Sequence, residues 1–275
     1  MDKQLFFAFL LTLLAGISTG IGSAIAFFAK RTHTSFLSVS LGFSAGVMIY
    51  VSFMDLMPNA VTWLSEIHGI QKGILYAALS FFTGVLLILL IDKLVPDREN
   101  PHEMRRVEAM EHIGGIGKGT RRRPNLLRTG LITALVLGIH NFPEGMVTFL
   151  AGLKDINIAI PISIAIAIHN IPEGISVSVP IYYATGNRKY AFCLSFLSGL
   201  AEPVGAFIGY LLLAPYLNDQ IFGLIFGVIA GIMVFISLDE LLPAAEEYGK
   251  HHHAIYGLIA DRSEERRVGK ECRSR

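Results

Sequence analysis

Two near-identical hexamers concentrate the chemistry-bearing side chains of this chain: His140-Asn141-Phe142-Pro143-Glu144-Gly145 and His169-Asn170-Ile171-Pro172-Glu173-Gly174. In each, an imidazole and a carboxylate stand four residues apart, which on a helix places them on one face, one turn from each other. Neutral imidazole and carboxylate oxygen suit Zn2+, Fe2+ and Mn2+, with affinity following the Irving–Williams order, so ligand type alone does not choose among these metals. Cys193 and Cys272 show no CxxC spacing, so neither a disulfide framework nor a thiolate site is expected. Pro143 and Pro172 lack an N–H, which frees the carbonyls of Ile139 and Ile168; kinks there would expose backbone oxygen beside the ligands. Gly145 and Gly174 permit close approach of neighbouring helices. A lone copy could be a proline-kinked helix whose His and Glu hydrogen-bond across a bundle. Two copies in adjacent apolar segments, with Glu202 in Ala201-Glu202-Pro203 of the next, point instead to a shared cation that satisfies every carboxylate at once. Glu144, Glu173 and Glu202 are placed to bridge two ions.

Other polar residues carry weaker signals. The segment from Gly46 to Pro58 aligns without gaps against Gly231 to Pro243, pairing Ser52 with Ser237 and Asp55 with Glu240. Ser52, Asp55, Asp239 and Glu240 are candidate pathway or gate residues, against the plain alternative that acids near helix ends are solvated at the interface. His102, Glu103 and His112 fall in a polar loop where scattered histidines are more often solvated than ligating. His251-His252-His253 is read as a polar turn in preference to a metal exit site.

The elements that must position these residues are set by composition. Hydrophobic residues make up 52% of the 275, charged residues 16%, and mean hydropathy is +0.53, too apolar for an ordinary soluble domain. A net charge of +1 gives no argument for nucleic acid as a partner. A bilayer core needs about 20 helical residues, and seven runs meet that length: 4–29, 36–57, 73–95, 126–150, 156–183, 189–215 and 219–243. The first is longer than a signal-peptide core and has no clear cleavage site, so it is kept as a helix. Lys and Arg cluster after the first, third, fifth and seventh runs, which by the positive-inside rule puts the N-terminus outside and the 96–125 loop in the cytoplasm. That loop is polar and expected to be mobile; its glycines lack the strand and the Lys-Ser/Thr pair of a phosphate loop. With opposite expected directions, the aligned second and seventh runs suggest an inverted repeat, with the hexamer helices between its halves. Residues 253–260 start like an eighth helix and then stop. The charged tail 262–275 resembles an in-frame translation of a sequencing adapter and is expected to be non-native, leaving 1–261 as the transmembrane unit and the last helix truncated.

Taken together, these motifs resemble the Zrt/Irt-like (ZIP) family of divalent-metal transporters, especially its bacterial type, from about Leu5 to Ala260. The paired hexamers are specific to that pattern, and the Ala-Glu-Pro and Asp-Glu-Leu-Leu-Pro segments reinforce it. The resemblance implies an all-α, eight-helix polytopic bundle of three-plus-two-plus-three plan with both termini outside. It implies inward transport of Zn2+, with Fe2+, Mn2+ or Co2+ tolerated, across the cell membrane. It also implies a two-metal centre between the fourth and fifth helices, carried onto His140, Asn141, Glu144, His169, Asn170, Glu173 and, from the sixth helix, Glu202. Metal is cargo here and no cofactor is expected; the partners are divalent ions and lipid, with a homodimer left open. An intramembrane metal hydrolase would use the same ligands, but HExxH spacing is absent and no separate general base is apparent. A metal-sensing receptor would need a folded output domain that the 96–125 loop is too short and polar to supply.

Overall fold

The computed structural model describes residues 3–28, 34–94, 123–248 and 252–259, and every element among them is helical. In chain order these are α1 (Lys3–Phe28), α2 (Thr34–Val51), a π turn (Ser52–Leu56), α3 (Met57–His68) and α4 (Ile70–Leu94). There follow α5 (Arg123–Lys154), α6 (Ile156–Thr185), α7 (Arg188–Gly199) and α8 (Ala201–Leu213), then α9 (Asp219–Ile236), a second π turn (Ser237–Leu241), α10 (Leu242–Tyr248) and α11, residues 252–259. The expected 96–125 loop up to residue 122, with His102, Glu103 and His112, lies outside the described residues, as do His251 and the 262–275 tail with Cys272.

Helix starts follow local chemistry. Asp155, Asn187 and Asn218 are extended residues whose side-chain oxygens accept from the backbone N–H of Asn157, Tyr190 and Ile221, capping α6, α7 and α9. Gly186, at φ 68°, ends α6 in the left-handed conformation that glycine adopts without penalty. Six segments among the described residues are long and apolar enough to cross a bilayer: Lys3–Ile25, Ser38–His68, Ile70–Ile91, Ile156–Val179, Arg188–Tyr216 and Asp219–Leu241. At 32 residues α5 also has the length, with its apolar character diluted by the polar hexamer and charged ends. The exposed stripe Leu75, Leu79, Phe82, Leu86 and Leu90 along α4 is the surface expected of a helix solvated by lipid.

Two expectations are revised. The second run does not end at 57: the helix continues through the π turn and past Pro58 to His68. Pro143 and Pro172 lie inside helices that run on through both. A break does fall at Leu200, between α7 and α8, where Pro203 cannot donate to the Gly199 carbonyl. His252 and His253 belong to the first turn of α11, not to a polar turn, and His252 stacks on Tyr256.

α1 packs along α6, α6 along α5, and α5 along α8; α9 packs along α4 and α3, with α2 bridging to α6. Glycines set these crossings. A Cβ on Gly174 would stand 1.9 Å from the Thr19 carbonyl oxygen and one on Gly22 2.0 Å from that of Ile171, so α1 and α6 meet backbone to backbone. Gly145 against the Glu202 carbonyl (2.0 Å) and Gly205 against that of Phe142 (2.2 Å) do the same for α5 and α8. At the far end of α5, Lys154 pairs with Asp219 and lies over the rings of Trp63 and Phe222, fastening α5 to α3 and α9.

Glycine substitution separates close packing from mere helix propensity. Gly174→Ala forces α1 and α6 apart, at a cost of about 1–3 kcal/mol, and is expected to lower the thermal midpoint of the detergent-purified protein. Gly138→Ala, where a Cβ meets nothing within 4 Å, is expected to leave that midpoint unchanged or raise it. Equal midpoints for the two variants in a scanning fluorimetry assay would refute the crossing geometry.

Candidate metal site

The hexamers face each other across the α5–α6 contact. All seven side chains singled out from the sequence are buried: His140, Asn141 and Glu144 on α5, His169, Asn170 and Glu173 on α6, and Glu202 in the first turn of α8. At most 2% of each residue is accessible, a level that charged residues rarely reach unless paired. His169 Nε2 lies 3.3 Å from both oxygens of Glu144, linking the two hexamers directly. Asn170 donates from its Nδ2 to Glu202 and, at 2.9 Å, to the Ala15 carbonyl of α1; Asn141 Nδ2 donates to the Ser198 carbonyl at 3.1 Å. Glu173 lies within electrostatic reach of His169, Glu144, His140 and Glu240.

These contacts leave acceptors over. Glu173 Oε2, Glu202 Oε2, Asn141 Oδ1 and Asn170 Oδ1 are buried and make no hydrogen bond. Buried polar atoms without partners cost about 1–3 kcal/mol each, and a cluster composed mainly of oxygens is electron-rich, a fit for a cation and not for an anion or a water-excluded apolar ligand. The donors are nevertheless arranged in pairs: among the described residues, no group of three or more His, Cys, Asp or Glu converges in a geometry ready to hold a metal. The candidate ligands are thus brought together and partly paired with one another.

The second-tier residues separate. Glu240, in the π turn after α9, reaches His140 Nε2 at 2.9 Å and so joins the site. Asp239 beside it is exposed. Asp55 is half-buried, with its backbone carbonyl taking the Asn59 side chain at 2.7 Å, and Ser52 turns its hydroxyl back to the Met48 carbonyl at 2.7 Å. The π turn explains Glu240: one extra residue in the turn rotates the following side chains, and such turns recur where a helix re-aims a functional group. The motifs in the sequence do not point to α1, yet its Ala15 carbonyl holds Asn170, and its Ser23 hydroxyl, 2.5 Å from that of Ser195, reaches the Gly174 carbonyl at 3.1 Å. A signal was present as Thr12, Thr19 and Ser23, all buried and spaced along one face of an otherwise apolar helix.

An all-helical, multi-pass membrane protein with imidazoles, amides and carboxylates buried between its spans is the architecture of an ion carrier. Residues 97–261 match the model of the ZIP zinc transporter family. The chain is 60% identical over 260 residues to the zinc transporter ZupT of Streptococcus mutans, covering 94% of this chain and 95% of that one. It is 58% identical to the ZupT of Clostridium perfringens, covering 92% and 91%, and 54% identical to that of Chlorobium chlorochromatii, covering 94% and 95%. The chain belongs to the ZIP zinc transporter family. That family consists of transporters and not enzymes, which disposes of the intramembrane hydrolase reading.

If Glu240 orients His140, its removal acts as loss of an outer partner of a metal ligand, typically a 10–100-fold loss of metal affinity. Glu240→Gln is expected to weaken Zn2+ binding to the purified protein by an amount in that range, and Asp239→Asn to leave it near wild type, as read by calorimetric titration. Equal effects would refute the distinction drawn between the two neighbouring acids.

Proposed function

We propose that this protein carries Zn2+ across the cell membrane into the cytoplasm, through a site between α5 and α6 that accommodates two ions. His140, Asn141, Glu144, His169, Asn170, Glu173 and Glu202 are its ligands, and Ser52, Asp55, Asp239 and Glu240 line the approaches. The carrying observation is the buried group itself: six side chains from two facing helices and a seventh from α8, with acceptor oxygens left unpartnered in the interior of a bundle whose surroundings are hydrocarbon. Holding three carboxylates there without a cation is costly; translocon measurements put one charged residue at mid-span at roughly 2.5–3.5 kcal/mol. The zinc-transporter names borne by relatives at 54–60% identity support the choice of metal. Nitrogen and oxygen donors extend it to Fe2+, Mn2+ and Co2+.

The pairings suggest how the ion is taken up. An arriving cation draws Glu144 and His169 from each other onto itself and separates His140 from Glu240 in the same way; protons held by those pairs leave as the metal binds. Glu173 and Glu202 supply their free oxygens, and the amides of Asn141 and Asn170 add neutral carbonyl oxygens that coordinate without further charge. Because the imidazole–carboxylate pairs re-form once the ion departs, the empty site keeps a partner for its acids and does not hold the metal permanently. The distribution of Lys and Arg between connections supports an outside N-terminus. The ion leaves on the side of the Lys- and Arg-rich loops after alternating access about the buried site.

Reconstituted into proteoliposomes, the wild-type protein is expected to accumulate radioactive Zn2+, and Glu144→Ala and His169→Ala to reduce the initial rate to the level of empty vesicles. Uptake that persists undiminished in both variants overturns the assignment of the site. In the same assay, excess unlabelled Fe2+, Mn2+ or Co2+ is expected to compete with Zn2+, whereas Mg2+, which keeps its waters and prefers six oxygens, is not. Failure of all three transition metals to compete would confine the protein to zinc.

A further inference from the structure

Behind the first hexamer lies a cleft of about 880 Å3 that separates α4 and α9 from α5, α7 and the start of α8. Leu87 of α4, Leu135 and Phe142 of α5, Leu197 of α7, and Val228 and Ile232 of α9 line it. The one polar side chain among the described lining residues, Ser198, has its hydroxyl committed to the Ser195 carbonyl at 2.7 Å. Among the described residues lining it, no side chain is left to coordinate an ion or hold water, and cavities so poor in polar partners stay dry. Left empty, a cleft of this size would forfeit dispersion contacts along its walls.

We propose that an acyl chain of a bilayer phospholipid occupies this cleft. Its volume falls in the range of about 300–1,000 Å3 usual for lipophilic ligand sites. It opens sideways: Leu87, Leu135 and Leu197 are 47%, 65% and 59% exposed, so its rim continues the surface that hydrocarbon covers elsewhere on the bundle. The chain's own last described helix is not the occupant, because α11 seats on α2, where a Cβ on Gly42 would lie 2.2 Å from the Ala254 carbonyl oxygen. Gly138 marks the floor. A Cβ there meets nothing within 4 Å, in contrast to the clashing glycines of the helix crossings, so this glycine leaves room for a guest and not for a neighbouring helix. An acyl chain in the cleft presses on the back of Phe142 and Pro143, opposite the face that presents His140 and Glu144, and so supports the hexamer helix from behind.

The test uses the full chain in phosphatidylethanolamine/phosphatidylglycerol nanodiscs doped with a phosphatidylcholine carrying a diazirine on its acyl chain, irradiated and mapped by mass spectrometry. The expected result is labelling of the α9 segment around the buried Ile229 as well as of the exposed α4 residue Leu79. In Gly138→Trp, which fills the cleft, α9 labelling is expected to fall several-fold while Leu79 labelling is unchanged. Ala134→Phe fills the same space from one turn away and serves if Gly138→Trp does not fold. Labelling of Leu79 without Ile229 in the wild type overturns the proposal. So does α9 labelling that neither filling variant reduces, or efficient disulfide formation between two copies bearing Leu135→Cys, which would make a second protomer the occupant.

Discussion

The constraint from which the rest of this structure follows is the cost of keeping glutamates inside a bundle solvated by hydrocarbon. Glu144, Glu173 and Glu202 are all buried, and burial of an ionised group without compensation is far more expensive than any packing defect. The surrounding residues read as responses to that cost. His169 serves Glu144, and the Asn170 amide serves Glu202 and the Ala15 carbonyl together. Compensation is incomplete, with one oxygen each on Glu173 and Glu202 left over. Full satisfaction would give a stable core with no reason to receive an ion; partial satisfaction gives a bundle that holds together and still favours a cation.

Such compensation works only if the backbones come close enough, and here the hexamer glycines matter as much as the polar side chains. Gly145 and Gly174 are placed identically in their hexamers, and each answers a glycine on a neighbour: Gly205 on α8 and Gly22 on α1. Within each helix of these crossings, the glycine and the residue whose carbonyl meets the opposing glycine are three apart in sequence: Gly145 and Phe142, Gly205 and Glu202, Gly174 and Ile171, Gly22 and Thr19. The two crossings are therefore the same reciprocal arrangement used twice. The first brings the Glu202 backbone against α5; the second brings α1, with the Ala15 carbonyl, against α6 and within reach of Asn170. Glycine has no side-chain entropy to lose, and dispersion attraction acts along the full length of two close backbones, so these crossings supply affinity between helices that the hydrophobic effect cannot provide in lipid.

Much of this was legible in the residues. The apolar runs located the crossing helices because backbone in hydrocarbon has no alternative to helix, and the duplicated hexamers located the buried polar cluster because polar residues at such depth are rarely idle. What was not legible depends on geometry that composition does not encode. Pro143 and Pro172 lie within continuous helices, while Pro203, unremarked beyond its glutamate, separates α7 from α8. A π turn leaves no sequence mark of its own, so Asp239 and Glu240 read as equals until the turn assigned one to His140 and left the other exposed. The contributions of α1 are mostly backbone carbonyls and small hydroxyls, which any apolar helix could carry.

The aligned segments around Pro58 and Pro243 sharpen the last point. Both contain a π turn at the same aligned position, Ser52–Leu56 and Ser237–Leu241, and in both the leading serine turns its hydroxyl back to a methionine carbonyl at 2.7 Å. In both, the residue after the turn donates its N–H to that serine's carbonyl, so the extra residue is absorbed without an unpaired donor there. Yet Glu240 meets His140 while its counterpart Asp55 is half-buried, with its carbonyl taking Asn59. The same local device has thus been put to different uses, and the reason lies in the partners: α9 packs on α5 as well as on α4, whereas α2 approaches the hexamers from the α6 side. A side chain one methylene longer, on the segment that meets α5, is what carries a carboxylate to His140.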